Sequence, residues 1–297
     1  MWRKTGGFAF FFFFQGFTSP DFESAAFRRF CEVCYRVRRF KPTLTLSSLQ
    51  AIITVAAEEE PVSYDRLAEL CGVDYTTAAF HAAILSDGRG RRPGANLLIR
   101  EPAPGHDRRA KNLVLARGGR AIANLFATVN VETASSADFL KCSILPALRM
   151  ALNAAPDLNL TTFSVLLFVA QNNVRFAHYG EPAATIADAL GLTNLPRNLA
   201  KLAEADGGCL LELMKNPNDR RITLPTLTQA GLSLVANIAA VLQDKEPDQV
   251  RQPKAESLRQ AETPEDVRNF TQADFDVIDV DEIDWTDKAE DKPPKPS

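Results

Sequence analysis

An internal repeat constrains the fold of this chain more than any other feature of its sequence. The tripeptide Asp-Arg-Arg at residues 107–109 recurs at residues 219–221, a separation of 112. The segment LAELCGV at residues 67–73 recurs as IADALGL at residues 186–192, a separation of 119. A separation that rises to 119 and returns to 112 indicates compensating insertions in loops, which tolerate them. The sequence therefore predicts two copies of one folding unit.

Both copies show the same order of predicted elements. Apolar residues three and four apart predict the helices, and turn signals separate one element from the next. Glycines close the short helix of each copy, and Pro146 predicts a kink in the helix that contains it. The first copy predicts helices over residues 21–40, 46–57, 64–71 and 74–86, strands over 97–101 and 110–115, and a helix over 119–129. The second copy predicts helices over residues 134–155, 160–172, 183–190 and 195–204, strands over 209–214 and 221–224, and a helix over 229–242.

The first predicted helix is amphipathic. Its apolar stripe leaves a set of arginines outside the buried face, which are Arg28, Arg29, Arg36, Arg38 and Arg39. Thr45 or Ser47 is the predicted cap of the second helix.

The repeat divides the 297 residues into four regions. Two repeated units cover residues 21–132 and 133–243. Residues 1–20, which contain the run FAFFFFF, belong to neither unit and have two open interpretations, a signal peptide or a start extended upstream. Residues 244–297 are polar and carry several prolines, so we expect them to be largely disordered.

Charge is distributed unevenly along the chain. The formal net charge is −3, but residues 244–297 contain 16 acidic and 8 basic residues, whereas residues 1–243 carry a net charge of +5. A mildly basic body followed by an acidic tail is compatible with binding to nucleic acid, which the whole-chain charge alone would disfavour.

Two helices joined by a turn and followed by a two-stranded hairpin are typical of the winged helix-turn-helix. In both copies, Asp-Arg-Arg stands at the hairpin tip, and a glycine follows ten residues after the second arginine. Leucines stand on the returning strand, two apart in the first copy and three apart in the second. These segments, HDRRAKNLVLARGGRAIANLF and NDRRITLPTLTQAGLSLVANI, resemble the wing of the MarR family, and the resemblance extends over about residues 21–243. It implies a mainly α fold with small β-hairpin wings, arranged as a tandem winged helix-turn-helix pseudo-dimer in one chain, with a disordered acidic C-terminal tail.

The hairpin tips are the first predicted DNA contacts. A carboxylate can hold a guanidinium by paired hydrogen bonds, and a guanidinium so held suits the negative potential of a narrow minor groove. The resemblance implies that Asp107 orients Arg109 and that Asp219 orients Arg221. It assigns phosphate contacts to Arg108, Lys111 and Arg220. The alternative for each tip is a solvated polar turn.

The second helix of each helix pair supplies further candidates. In the first copy, Tyr75, Thr76 and Thr77 could contact phosphates or base edges, but no cation precedes Arg89, so bidentate readout of guanine is not expected there. Packing against the next helix is the alternative for Tyr75 and for His81. In the second copy, Arg197 or Asn198 could read bases, and Lys201 completes the set. The loop GRGRRPG adds Arg89, Arg91 and Arg92, which could release counterions from DNA or remain solvated.

Several other function classes lack support in the sequence. Five irregularly spaced cysteines form no disulfide framework, which predicts a reducing, cytoplasmic compartment. Cys31 and Cys34 have no second cysteine pair to complete a zinc site, so we expect them to be structural. The sequence contains neither a glycine-rich phosphate loop nor a Ser-His-Asp arrangement, which predicts no enzyme and no cofactor. The apolar run at residues 8–14 is too short to span a membrane.

We therefore expect sequence-selective binding of double-stranded DNA by a transcriptional regulator, with repression as the expected direction and a monomeric pseudo-dimer as the active form. The alternative is an interaction or assembly protein, or a replication initiator, with the same fold. Residues Asp274 to Trp285, DFDVIDVDEIDW, alternate acidic and apolar residues and predict a docking segment for a protein partner. A decoy over the basic surface of the chain and a solubilising tail are the alternatives for this segment.

Overall fold

A computed structural model describes residues 24–89, 92–103, 111–129, 136–173, 176, 182–204, 209–216 and 219–243. All of these residues belong to one compact unit. The predicted regions 1–20 and 244–297 lie outside the described residues. The described part is mainly helical with small antiparallel sheets, as the sequence predicts. None of its helices combines the length and apolarity needed to cross a membrane.

The first half contains the predicted elements, with ends shifted by a few residues. Thr45 caps the second helix, because its Oγ1 accepts the backbone N–H of Ser48 at 3.1 Å. Three strands of two residues each were too short to leave a pattern in the sequence. The elements are α1 (Ala25–Phe40), α2 (Leu46–Ala57), β1 (Val62–Ser63), α3 (Tyr64–Cys71), α4 (Tyr75–Leu85), β2 (Gly88–Arg89), β3 (Arg92–Pro93), β4 (Leu98–Pro102), β5 (Lys111–Leu115) and α5 (Arg117–Ala127).

The second half repeats the order of the longer elements. Its elements are α6 (Ser136–Phe139), a π-helical segment (Leu140–Ile144), α7 (Leu145–Ala154), α8 (Leu160–Gln171), α9 (Ala184–Leu190), α10 (Leu195–Ala203), β6 (Leu211–Lys215), β7 (Thr223–Leu227) and α11 (Gln229–Leu242). The π-helical segment stands where Pro146 predicts a kink. The N–H of Leu145 there bonds to the carbonyl of Leu140, five residues back. This wider turn accommodates a proline that has no N–H of its own to donate.

The hairpins of the two halves have the same length and similar registers. Strands β4 and β5 pair from Leu98 opposite Leu115, and strands β6 and β7 pair from Leu211 opposite Leu227. In the first half, β1 pairs with the outer edge of β5 and makes a third strand. In the second half, the N–H of Ala183 donates to the β7 carbonyl of Thr223 at 2.8 Å, so one hydrogen bond stands in the corresponding place.

The junction between each helix pair and its hairpin is also repeated. The N–H of Leu97 donates to the last residue of α4 at 2.7 Å, and its carbonyl accepts from the residue before α5 at 3.1 Å. Leu210 makes the equivalent bonds to α10 and to the residue before α11, at 2.8 and 3.2 Å. A Cβ added to Gly119 would lie 2.1 Å from the carbonyl oxygen of Leu97, and one added to Gly231 would lie 2.1 Å from that of Leu210. Both positions therefore require glycine for the same close approach.

One hydrophobic core joins the two halves. Phe30 of α1 contacts Phe126 of its own half at a ring-centroid distance of 5.9 Å and Phe163 of the other half at 6.2 Å. The caps of α2 and α8 meet in an antiparallel bridge between Thr45 and Asn159. The predicted boundary between residues 132 and 133 thus separates the sequence repeats, whereas the packing unites residues on both sides of it in a single compact unit.

Candidate nucleic-acid interface

The tip of the β6–β7 hairpin presents two adjacent cations. Arg220 and Arg221 are both exposed, in a turn closed by a hydrogen bond from the N–H of Ile222 to the carbonyl of Asp219 at 3.0 Å. The Nζ of Lys215, at the end of β6, donates to the hydroxyl of Thr223 on β7 at 2.8 Å. Three basic side chains therefore lie within one turn and the strand ends that support it.

Asp219 shapes this turn through the backbone. Its Oδ1 accepts the backbone N–H of Arg221 at 2.9 Å, whereas the predicted contact was with the guanidinium of Arg221. The nearest donor to an aspartate in a turn is the N–H two residues ahead, which is why the backbone takes the carboxylate. The guanidinium of Arg221 makes no ion pair with any described acid. It is therefore available to an external anion.

Helix α10 exposes two of its three predicted contact residues. Arg197 and Lys201 are exposed, but Asn198 is only 8% exposed. The Oδ1 of Asn198 accepts the hydroxyl of Thr162 at 2.8 Å, and its Nδ2 donates to the carbonyl of Asn194 at 3.0 Å. Both polar groups of this side chain are engaged inside the protein. The expectation that Asn198 reads a base therefore does not fit the structure, and Asn198 leaves the set of candidate contacts.

Helix α4, the counterpart of α10, begins with a carboxylate. Asp74 caps it by accepting the N–H of Thr77 at 2.9 Å and the hydroxyl of Thr77 at 2.7 Å. These two bonds, the hydroxyl one first, hold the pKa of Asp74 below its usual value. The hydroxyl proton of Thr77 is thereby engaged, while Thr76 and Tyr75 are exposed, Tyr75 at 53%. The start of α4 thus carries a negative charge and an aromatic ring where α10 carries cations.

Helix α4 carries three ring-bearing side chains, those of Tyr75, Phe80 and His81. The ring of Tyr75 lies 6.1 Å from that of Tyr64 at the start of α3. His81 is half-buried, with its Nδ1 3.3 Å from the hydroxyl oxygen of Ser48 on α2, and burial lowers its pKa. Phe80 is 40% exposed. His81 therefore packs against α2, and Tyr75 and Phe80 supply the exposed aromatic surface.

The first hairpin is described only at its base. Asp107, Arg108 and Arg109 lie outside the described residues, as does Arg91 of the GRGRRPG loop. Lys111 is half-buried and pairs with Pro102 across β4 and β5. Arg89 and Arg92 are opposite each other in the short β2–β3 pair. Strands β2 and β3 thus form a second small antiparallel pair beside α4.

The cysteines form no recognisable reactive centre within the described chain. Cys31 and Cys34 are fully buried on α1, and desolvation raises the pKa of both thiols. All five cysteines are free. No cluster of three or more metal-ligating side chains occurs among the described residues.

Two arginines make contacts between the halves that were not predicted from the sequence. Arg38 of α1 is 5% exposed, and its guanidinium donates to the carbonyl of Leu190 at the end of α9. Arg149 of α7 donates to the carbonyl of Leu70 near the end of α3. The prediction that Arg38 lies outside the buried face of α1 is wrong. A signal was available, because Arg38 follows the buried Cys34 by four residues and Cys31 by seven, a spacing that places it on their face.

The chain matches no family model and no curated protein.

Proposed function

We propose that this protein binds double-stranded DNA through two winged helix-turn-helix units in one chain, as a transcriptional regulator and repressor similar to MarR proteins. The observation that carries the proposal is the exposed pair Arg220 and Arg221 at the tip of the β6–β7 hairpin. Exposed cations on α10, the second helix of the same unit, support it. A helix in the major groove with a hairpin tip at the adjacent backbone or minor groove is the usual geometry of such units.

The two units have unequal parts in this proposal. The second unit offers Arg197 and Lys201 on α10, whereas α4 of the first unit begins with Asp74 and carries no cation. A carboxylate at the start of α4 would repel phosphates, so base readout comes mainly from α10. The DNA site is therefore asymmetric, in contrast to the palindromes that suit true dimers.

Binding of a duplex at several salt concentrations tests the proposal. We expect log K to fall linearly with log salt, with a slope of about −0.9 for each neutralised phosphate. The double variant Arg220→Ala/Arg221→Ala should reduce the magnitude of this slope by about 2 and weaken binding at about 0.1 M salt. Fluorescence anisotropy of a labelled duplex measures both quantities, and selection from genomic fragments supplies the preferred sequence.

The matched control is Arg28→Ala/Arg29→Ala, which also removes two adjacent, exposed arginines but lies on α1. We expect this control to keep the wild-type slope. Absence of duplex binding by the wild-type chain would contradict the proposal. An equal loss of slope in the two double variants would contradict the assignment to the hairpin tip, since any pair of arginines would then serve.

A second candidate function, assembly with a protein partner, is favoured by the aromatic surface of α4. Tyr75 and Phe80 are exposed, and Phe80 lines a cavity of about 290 Å³ together with Leu44 and Ile84. Aromatic side chains are enriched at the centres of protein interfaces. The acidic and apolar segment from Asp274 to Trp285 would recruit a partner of its own in this candidate.

Paired binding assays distinguish the two candidates. Tyr75→Ala/Phe80→Ala should leave duplex binding by the second unit unchanged if α4 faces a protein. Removal of residues 271–297 should abolish capture of a protein partner while leaving the salt slope for DNA unchanged. Loss of duplex binding in the α4 variant would instead assign α4 to the DNA interface.

A further inference from the structure

The short helices α3 and α9 end in the same way, and each leaves carbonyl groups to be satisfied from elsewhere. Gly72 and Gly191 adopt left-handed backbone conformations, with φ of +68° and +59°. Their N–H groups, with those of the residues that follow, satisfy the carbonyls at positions 68–69 of α3 and 187–188 of α9. The carbonyls of the last two residues of each helix have no partner in this motif.

An arginine of the opposite half takes one of these remaining carbonyls in each unit. Arg38 of α1, in the first half, reaches the carbonyl of Leu190 at the end of α9. Arg149 of α7, in the second half, reaches the carbonyl of Leu70 at the end of α3. In each unit, an arginine of the other unit therefore contacts the end of the first helix of the pair, just before the turn that joins the two helices.

Electrostatics favour a cation at both places. The carbonyls at the C-terminus of a helix carry a partial negative charge, which attracts a guanidinium. Neither Arg38 nor Arg149 makes an ion pair with a carboxylate within the described ranges. The Nε of Arg38 is buried without a hydrogen-bond partner. A buried guanidinium without a counterion is costly, so its position beside the α9 terminus indicates a specific requirement for that contact.

We propose that Arg38 and Arg149 are positioning residues, which hold α10 and α4 at a fixed separation and orientation so that both units can contact one duplex. This inference rests on the proposed DNA binding for its purpose, but the positioning itself is a property of the free protein. Helices α4 and α10 each begin five residues after the carbonyl that the crossing arginine holds. A small rotation of α3 or α9 at this point therefore moves the start of the helix that follows.

The physical benefit of this arrangement is effective concentration. When two contact regions are held at the spacing that a duplex presents, the second contact forms without a new loss of translational freedom. A loose connection between the units would lower that effective concentration without changing the affinity of either unit alone. Arg38 reaches from the first half to the second, and Arg149 reaches from the second half to the first, so each unit contacts the other.

A distance measurement on the free protein tests the positioning directly. Spin labels at Thr76→Cys on α4 and Lys201→Cys on α10, in a background with Cys71, Cys142 and Cys209 replaced by alanine, report the separation of the two helices. We expect a narrow distance distribution, a broader one in Arg149→Met, and partial recovery in Arg149→Lys, which keeps the charge. Arg149 is exposed, so the variant is expected to fold, which circular dichroism verifies.

Arg39→Met is the matched control, because it removes an exposed arginine from the last turn of α1. An unchanged distribution in Arg149→Met, or an equal broadening in Arg39→Met, would overturn the inference. Arg38→Met removes the second crossing contact and should broaden the same distribution. No DNA is present, so failure of the proposed DNA binding leaves this result interpretable.

Duplex binding then tests the purpose of the link. On a duplex long enough for both units, we expect Arg149→Met to bind about tenfold more weakly than Arg39→Met. On a duplex long enough for one unit only, the two variants should bind equally. A loss in Arg149→Met that is equal on both duplexes would overturn the positioning role and indicate a direct contact between Arg149 and phosphate.

Discussion

The two halves of the molecule share one framework and differ in the surface that they present. Leu97 and Leu210 make the same pair of backbone hydrogen bonds, and a glycine approaches each of them equally closely. At the start of the second helix of each pair, however, α4 has an aspartate that bonds to its own first turn, whereas α10 has Asn194, whose side chain makes no capping bond. The buried framework thus stayed constant while the exposed helix starts diverged.

This difference indicates which positions hold the fold and which carry the proposed binding. A backbone carbonyl against a glycine leaves no room for another side chain, so both copies must keep the same residue there. An exposed helix start is under no such restriction, and each copy can adopt its own charge. Substitutions at equivalent positions of the two halves should therefore have equal effects in the framework and unequal effects on the surface.

The largest expected effect is a loss of stability from Gly119→Ala or Gly231→Ala. The added methyl group would lie 2.1 Å from a backbone carbonyl oxygen in each case, and a backbone group cannot move aside cheaply. We expect each substitution to lower the free energy of unfolding by about 3 kcal/mol, the upper end of overpacking costs. Urea denaturation measures the loss, which should be similar in the two variants.

Gly118→Ala is the control for this pair. Its Cβ would lie 2.9 Å from a methyl group of Leu97, the end of a flexible side chain, and alanine is the better helix former. A small effect of either sign is expected. If Gly231→Ala were as mild as Gly118→Ala, the close approach in the second half would not exist, and the structural equivalence of the two junctions would be refuted.

The next effect is a loss of stability in Asn198→Ala without a change in DNA preference. Removal of the side chain takes away the closer of two acceptors of the buried Thr162 hydroxyl, at 2.8 Å, and leaves the Oδ1 of Asn159 at 3.1 Å. We expect the free energy of unfolding to fall by about 1.5 kcal/mol, the upper end of the net contribution of one hydrogen bond. A selected DNA sequence that differs between variant and wild type would restore Asn198 as a contact residue.

A smaller effect, on binding only, distinguishes α10 from α4. Arg197→Ala should weaken binding to the preferred duplex about tenfold, or ~1.4 kcal/mol, whereas Tyr75→Ala in the equivalent region should change it little. Both side chains are exposed, so neither variant should lose stability. Anisotropy titrations at one salt concentration suffice. Equal losses in the two variants would mean that the two units contribute equally to binding.

Most of the framework could be predicted from the sequence because it depends on local signals. Apolar spacing located the helices, Thr45 was one of two expected caps, and Gly72 and Gly191 marked the ends of the short helices. The position of Pro146 indicated a local change in its helix, but not that a π-helical turn would provide it. These features each depend on a few neighbouring residues.

Features that depend on distant or backbone partners could not be predicted. Asn198 looked available because its partner Thr162 is 36 residues away in the sequence. The spacing of Arg38 from Cys31 and Cys34 indicated its buried face, but its acceptor, a helix-terminal carbonyl of the other half, could not be predicted. The aspartate of the second hairpin tip was expected to bind a guanidinium, but a backbone N–H two residues ahead is a nearer donor.

The smallest expected effect is a pH dependence of stability that comes from His81 in the first half. Burial lowers the pKa of this imidazole, so the folded protein takes up the proton at a lower pH than the unfolded chain, whose imidazole has the ordinary pKa of about 6.5. Stability is therefore full above that pH and falls as the pH decreases through 6.5, because the unfolded state gains the proton first. Lys41 lines the same cavity and adds a like charge, whereas Asp74, with its lowered pKa, stays ionised throughout this window. His81→Gln should flatten the dependence of the free energy of unfolding on pH between pH 7 and 5.5, as urea denaturation measures it. If the wild-type profile already matched that of the variant, His81 would be solvated rather than packed against α2.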